Sequence, residues 1–427
     1  MSRAKQGAKA VVPRLRFPEF RDDRGWITQN LGDVSVFSSG GTPSKAEPDY
    51  WNGDIPWISA SSMYETSIAD SDLKVTSLAI GRGTRLAPKG SLLILVRGSM
   101  LFNRVPMGIA AVDLAFNQDV KALEVASDVH AEFLLDQLIA ASPRIPINET
   151  GIGAGKIETD TLENLPIFLP SHTEQQKIAD CLMSLDEVIA AQGRKVEALK
   201  AHKRGLMQQL FPREGETRPR LRFPEFRDAP EWTLGKASDI VNVLQGYGFP
   251  ERLQGSREGE FPFYKVSDIS ACVDAGGILL DEANNHIDAD VLEELRAKLM
   301  PVGSTVFAKI GEAIRSNKRA ITSRPCLVDN NAAGIKAIAG VAHDRFVYYL
   351  WCQIPLIEYA GGVVPAVNKS AMEQIPVCYP EPDEQQRIAD CLSSLDAQIT
   401  AEANQLAALK THKQGLMQQL FPAPEAA

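Results

Sequence analysis

The sequence predicts a chain of mixed α/β class, in which two unlike α/β domains alternate with two long coiled-coil helices on an internal repeat. Three observations predict it. "PRLRFPEFRD" at 13–22 returns unchanged at 219–228. From Glu174 to Pro212, 26 of 39 positions are identical at a constant shift of 210 residues, ending in "HKRGLMQQLFP" and "HKQGLMQQLFP". Within that repeated segment the apolar residues recur every 3.5 residues, the period of a coiled-coil seam. Self-similarity at a fixed shift sets the organisation before any single element is assigned.

The halves run from 13 to 212 and from 219 to 422. Six segments follow in order: an opening segment 1–25, a first divergent domain 26–165, a helix 166–212, a linker 213–231 with the repeated opening motif, a second divergent domain 232–378 and a helix 379–427. In the divergent domains only an outline is shared. "APKGSLLILVRG" at 87 corresponds to "MPVGSTVFAKIG" at 300, each a Pro-x-Gly turn feeding an apolar β-rich run. "GIGAGKIETDTLENLPI" at 151 corresponds to "GGVVPAVNKSAMEQIPV" at 361. Short apolar runs broken by Gly, Pro, Asn and Ser, with helical stretches at 129–141 and 289–299, read as mixed α/β.

Thr173 with Gln176, and Asp383 with Gln386, have capping-box spacing, and Pro212 and Pro422 stop the helices. Between these signals the first seam is Ile178, Leu182, Leu185, Ile189, Val196, Leu199, Leu206 and Leu210. The second is Ile388, Leu392, Leu395, Ile399, Leu406, Leu409, Leu416 and Leu420. Gln192 and Lys203, like Glu402 and Lys413, interrupt the seams with polar side chains, which cost stability and fix register. Each helix would be about 57 Å long at ~1.5 Å per residue, and pairing the two would cover both stripes.

Composition narrows the function. The 427 residues, 44% hydrophobic and 23% charged, are enough for more than one core. No stretch reaches the ~18 apolar residues of a membrane span, and the N-terminal sequence lacks the apolar run of a secretion signal, so a cytoplasmic location is expected. The six cysteines form no CxxC pair and no two histidines sit at ligand spacing, so buried thiols are expected rather than a metal. There is no GxxxxGK[ST] loop and no GxGxxG opening a helix. "GIGAGK" at 151–156 lacks Ser or Thr after its lysine and reads as a turn. His202 and His412 have no nucleophile nearby in sequence. The chain is expected to be non-catalytic.

Charge distribution says more than the net charge of -9, which by itself disfavours phosphate binding. From Leu73 to Val112 stand Lys74, Arg82, Arg85, Lys89, Arg97 and Arg104 with no acidic residue; from Leu295 to Val328 stand Arg296, Lys298, Lys309, Arg315, Lys318, Arg319 and Arg324 against Glu312 alone. A lone charge run is normally a solvated face, but its recurrence in both acidic domains points to nucleic acid, where Arg and Lys neutralise phosphates and Arg or Asn reads base edges. Candidate contacts in the first domain are Thr42, Ser44, Lys45 and Tyr50 from "GGTPSKAEPDYWNG", then Arg82, Arg85, Arg97, Asn103, Arg104 and Lys156. In the second domain they are Lys265, Lys309, Arg315, Lys318, Arg319, Asn368 and Lys369.

Taken together, "RLRFPEF", "SGGTPSK" followed by "YWNGDIPWI", "LPIFLPSHTEQQKIADCLMSLD" and "HKRGLMQQLFP" resemble the specificity (S) subunits of type I restriction-modification enzymes. The likeness extends over essentially the whole chain. It implies that each divergent domain is a target-recognition domain reading one half of a split, asymmetric DNA sequence, and that the helices pack antiparallel about a pseudo-twofold axis and set the gap. It further implies two methyltransferase (modification) subunits, which use S-adenosylmethionine to methylate adenine at N6, and ATP-dependent motor and nuclease (restriction) subunits that also use magnesium. No cofactor is implied for this chain itself. "VLQGYGFP" at 243–250 departs from "SSGGTPSK", so base contacts do not transfer from one domain to the other. The rival readings are a two-headed protein-protein scaffold without DNA recognition, which has no use for the basic stretches, and an enzyme with a site assembled from distant residues.

Overall fold

The computed structural model describes residues 11–151 and 153–422. Residues 1–10 of the opening segment, Ile152 of the glycine-rich run and 423–427 of the last segment lie outside the described residues. Two compact units emerge, Met1–Ala191 with Leu406–Ala427, and Gln192–Gln405. The repeat in sequence is therefore not the compact unit: each unit takes the beginning of one long helix and the end of the other. No helix among the described residues is long and apolar enough to cross a membrane.

The head of the first unit is built on a five-stranded sheet in the order Ser35–Ser39, Val120–Val125, Leu92–Leu95, Met107–Ala110, Ser67–Ile68. Leu92–Leu95 is the central strand because all four side chains are apolar and every one is buried. The helix Ala131–Ala141 covers the sheet with Phe133, Leu134, Leu135 and Leu138. A second sheet orders Lys74–Val75, Trp51–Ile58, Leu114–Phe116 and Arg85–Ala87. In the second unit the five strands are Val241–Gln245, Ala332–Ala337, Thr305–Ala308, Arg319–Thr322 and Leu279–Leu280, covered by Asp344–Gln353. The two Pro-x-Gly runs thus form equivalent central strands. The helix expected at 289–299 is shorter, Ala289–Glu294; Arg296 then turns the chain with a positive φ of 48°.

The repeated motifs meet one another inside each unit. In the first, Arg16 donates bidentately to Glu174 at 2.8 and 2.7 Å, and Trp26 Nε1 donates to the same carboxylate at 3.3 Å. In the second, Arg222 donates to Glu384 at 2.8 and 2.6 Å, joined by Trp232 Nε1 at 3.3 Å. Both pairs are buried. The carboxylate holds each arginine in its charged form, raising its pKa. Gln175 and Gln385 accept the amides of His130 and His343, where the head helices begin, at 2.9 and 3.2 Å. The backbone of each opening motif also reaches a helix end: Leu15 N donates to Gln419 O at 3.0 Å, and Leu221 N donates to Gln209 O at 2.9 Å. Phe421 packs on Phe133 in the first unit, as Phe211 packs on Phe346 in the second. "EQQ" and "LFP" recur because each copy meets the same internal surface.

The long helices span His172–Leu210 and Pro382–Leu420. They start later than 166 and 379 because Pro166–Leu169 and Pro376–Tyr379 are strands paired with Ile27–Asn30 and Thr233–Lys236; Pro170 and Pro380 separate strand from helix. The expected caps at Thr173 and Asp383 are corrected accordingly, since both residues lie inside the first turn. Ser171 Oγ accepts Glu174 N at 3.4 Å, and Gln176 and Gln386 bond instead to Asp180 and Asp390 one turn on. All sixteen seam residues are buried or half-buried, whereas His202 and His412 are exposed. All six cysteines are free; Cys326 is buried and the other five are half-buried, a correction to the expected buried thiols.

The polar seam residues are paired. Lys413 Nζ contacts Asp186 at 2.6 Å in the first unit, and Lys203 Nζ contacts Asp396 at 2.5 Å in the second; each pair becomes the other under the 210-residue shift. Their surroundings differ. The second unit adds Tyr349, whose hydroxyl donates to Asp396 at 2.6 Å, while the first places Asp136 3.9 Å from Lys413. Burial dominates at Asp136 and pushes its pKa up to about 7; Lys413, which already has a close partner in Asp186, opposes this, and Asp186 and Glu132 add to it. Such a group stabilises fully below its unfolded value near pH 4, and that contribution is lost as pH rises through about 7. Asp136→Asn is therefore expected to melt several degrees above the parent chain at pH 8 and level with it near pH 4, measured as thermal midpoints across pH.

Candidate nucleic-acid interface

The two heads share one backbone frame around several of the candidate residues. Gly40 and Gly246 mark it: a Cβ on either would come within 2.0 Å of Phe116 O and 1.9 Å of Asp329 O, respectively. The following amides, Gly41 N and Tyr247 N, both donate at 2.9 Å, to Phe116 O and Val328 O. Further along, Val96 N donates to Asp119 O and Lys309 N to Asn331 O, while Ile157 N donates to Val96 O and Val367 N to Lys309 O. "VLQGYGFP" is thus the structural counterpart of "SSGGTPSK". The pairings also equate Ser39 with Gln245, Val96 with Lys309, Arg97 with Ile310 and Lys156 with Ala366.

In the first head, a three-stranded sheet orders Asn148–Thr150, Ala154–Lys156 and Arg97–Gly98, and sets Lys156 directly opposite Arg97. Like charges opposite one another in a sheet cost a few tenths of a kcal/mol up to about 1. Glu158, 2.7 Å from Lys156, relieves part of that. At the matched place in the second head, Ile310 bridges Ala366. Thr42 Oγ1 donates to Gln118 Oε1 at 2.8 Å, and the 117–119 turn leads through Asp119 to Val96 and Arg97. Arg82, Arg85, Lys45 and Asn103 are exposed, and Arg85 pairs with Phe116 across the second sheet. The structure therefore brings Thr42, Arg85, Arg97 and Lys156 onto connected elements.

Other first-head candidates are engaged locally. Ser44 Oγ accepts Ala46 N at 3.2 Å. Tyr50 packs half-buried against Trp57, Val75, Ala79 and Ala115. Arg104, an exposed residue, donates to Met63 O at 3.0 Å.

In the second head, Lys309, Asn368 and Lys369 line one cleft with Gln245 and Tyr359. Asn368 Oδ1 accepts Ala371 N at 2.8 Å to cap the short helix Lys369–Glu373, and Lys369 lies 3.6 Å from Glu373. Lys265 donates to Gln254 and lies over the Phe249 ring. Arg315 pairs with Glu312, and Lys318 with Asp274.

Arg319 requires correction as a contact. It is only 3% exposed, donates to Asn317 Oδ1 at 2.6 Å and stacks over Phe307 at 5.0 Å. Burial brings its pKa down to about 10. Its guanidinium ties the central sheet to Asn317, which ends a helical turn at φ 51°, and is not available to a phosphate.

Sequence reading missed Gln118, Lys121 and Gln245. Lys121 lies outside the acid-free stretch, and Gln245 lies in a segment whose likeness to "SSGGTPSK" is confined to one glycine. The available signal was a lysine inside the otherwise apolar run Val120–Leu123, where Val120, Ala122 and Leu123 are buried and Lys121 is half-exposed.

With this geometry in place, comparison with known proteins is decisive for the family. Residues 23–201 and 230–411 each match the type I restriction modification DNA specificity domain. The type I restriction enzyme MjaIX specificity subunit of Methanocaldococcus jannaschii is 24% identical over 424 residues, spanning 93% of both chains. The EcoR124I/EcoR124II specificity subunit of Escherichia coli is 32% identical over 165 residues, 38% of this chain and 40% of that one. The crystal structure of the S subunit of a type I restriction-modification system from M. genitalium shares the fold at a TM-score of 0.57 and 14% identity, over 96% of this chain and 99% of that one. The chain belongs to the type I restriction-modification specificity-subunit family.

Proposed function

We propose that this chain is the DNA-recognition subunit of a type I restriction-modification complex, reading a bipartite, asymmetric target and directing the methyltransferase and restriction subunits to it. The observation that carries the reading is the matched frame with unmatched surfaces: equivalent backbone positions hold Arg97 and Lys156 in one head and Ile310 and Ala366 in the other. One frame offering two surfaces is what two different half-sites require.

In this reading residues 26–165 and 232–378 are the target-recognition domains, and the chain itself is non-catalytic. S-adenosylmethionine, ATP and magnesium serve two methyltransferase subunits and the motor and nuclease subunits. The two helices pair as an antiparallel coiled coil with pseudo-twofold symmetry, supported by the interchangeable pairs Lys413–Asp186 and Lys203–Asp396. Identical exposed residues such as His202 and His412 fit two copies of one partner.

The test is a methylation map. The chain is coexpressed with its methyltransferase partner in a host lacking N6-methyladenine, and modified adenines are sequenced genome-wide. A single split motif is expected, with one half changing when residues 232–378 are exchanged for those of a relative. An assembled complex that modifies no adenine sinks the proposal.

A further inference from the structure

Ser39 and Gln245 are equivalent: each ends the first strand of its five-stranded sheet and precedes the close-packed Gly40 or Gly246. A lysine ammonium reaches each of them. Lys121 Nζ lies 2.5 Å from Ser39 Oγ, and Lys309 Nζ lies 2.9 Å from Gln245 Oε1. The two lysines are not equivalent in the chain. Lys121 stands opposite Ser39 on the neighbouring strand, where the second head has the buried Ala333 opposite Gln245. Lys309 takes the place that the buried Val96 holds in the first head.

A lysine kept for packing or for folding would stay on one strand in both heads. What the heads share instead is the location of the charge, delivered from two different strands. The charge also lacks a direct counter-ion. Among the described residues neither Lys121 nor Lys309 has a carboxylate in ion-pair contact, whereas Lys156, Lys318 and Lys369 all do. Each lysine is half-buried. Burial lowers the pKa of Lys309 and Asp329 offsets only part of that, so an anion beside Lys309 would relieve the desolvation cost that remains. The hydroxyl of Ser39 and the amide of Gln245 orient the ammonium without neutralising it.

We propose that Lys121 and Lys309 are matched DNA-phosphate contacts, one per head, which anchor each head on the duplex backbone independently of sequence. The inference rests on the DNA-recognition reading above and deepens it by separating anchoring from base readout: the anchor is common to both heads, while the neighbouring 97/156 and 310/366 positions differ.

The test uses the assembled methyltransferase complex carrying Lys121→Gln, Lys309→Gln or both, with Lys121→Arg and Lys309→Arg as charge-keeping controls. Binding to a duplex containing the methylated motif and to a scrambled duplex is titrated in rising salt. Each glutamine variant is expected to weaken binding to both duplexes by a similar factor and to reduce the salt slope by ~1, the double variant by ~2. The arginine variants are expected to keep the parent slope, and the methylated motif to stay the same. Unchanged slopes in the glutamine variants, or a changed base preference, overturns the assignment while the parent complex still discriminates the duplexes. A parent complex that fails to discriminate them overturns the recognition reading itself.

Discussion

Glu384→Ala is expected to destabilise the second unit by ~3–5 kcal/mol, because removing one partner of a buried ion pair strands the other. That is a large fraction of the 5–15 kcal/mol typical of a folded domain. Arg222 would keep its bonds to Ala229 O and Pro230 O but lose both carboxylate oxygens, and Trp232 Nε1 would lose its acceptor. The same change at Glu174 is expected to act on the first unit through Arg16 and Trp26. Denaturant unfolding of the whole chain, followed by tryptophan fluorescence, reads the effect. The charge explanation makes a second demand: Arg222→Ala combined with Glu384→Ala should be less damaging than the two single losses added together, since no unpaired charge remains. Additive losses would mean that the pair contributes through packing alone.

This clamp explains why some parts of the molecule were legible in the sequence and others were not. "RLRF" and "EQQ" were visible as repeats, but that Arg16 meets Glu174 across 158 residues, and Arg222 meets Glu384, is a tertiary fact with no local signature. The helices were legible because a 3.5-residue period is local, and all sixteen seam residues are indeed sheltered. Their starts were misplaced in two ways: the segment boundary at 166 takes in the strand Pro166–Leu169, which Pro170 separates from the helix, and the capping-box spacing at Thr173 falls inside the first turn of a helix that begins at His172.

The halves of the sequence also differ from the compact units, since a helical stripe is satisfied by whichever apolar surface covers it, and sequence order does not name that surface. At the candidate interface, charge counting found exposed Arg82, Arg85 and Arg97, yet took Arg319 for one of them. Arginine with a cation–π partner and carbonyl acceptors is as well suited to a sheet interior as to a phosphate. Burial distinguishes these cases, and burial is set by contacts with Phe307 and Asn317 that only the fold supplies.

The other large effect is expected from giving the first head the second head's residues at one matched place. Arg97→Ile together with Lys156→Ala reproduces the Ile310–Ala366 pair on a backbone frame that already accommodates it. Thermal stability should stay level or rise slightly, because two like charges no longer oppose each other across the sheet. Recognition should suffer in one half-site only: losing side chains that read a base edge costs ~1–3 kcal/mol of discrimination per base pair, on the order of 10- to 100-fold. The methylation map should then show a motif degenerate at the positions read by the first head and intact at those read by the second. A motif unchanged in both halves, with affinity reduced equally for all duplexes, would move Arg97 and Lys156 from base readout to the phosphate backbone. Unchanged motif and unchanged affinity would remove the pair from the interface, leaving the exposed Arg82 and Arg85 as the cations to test next.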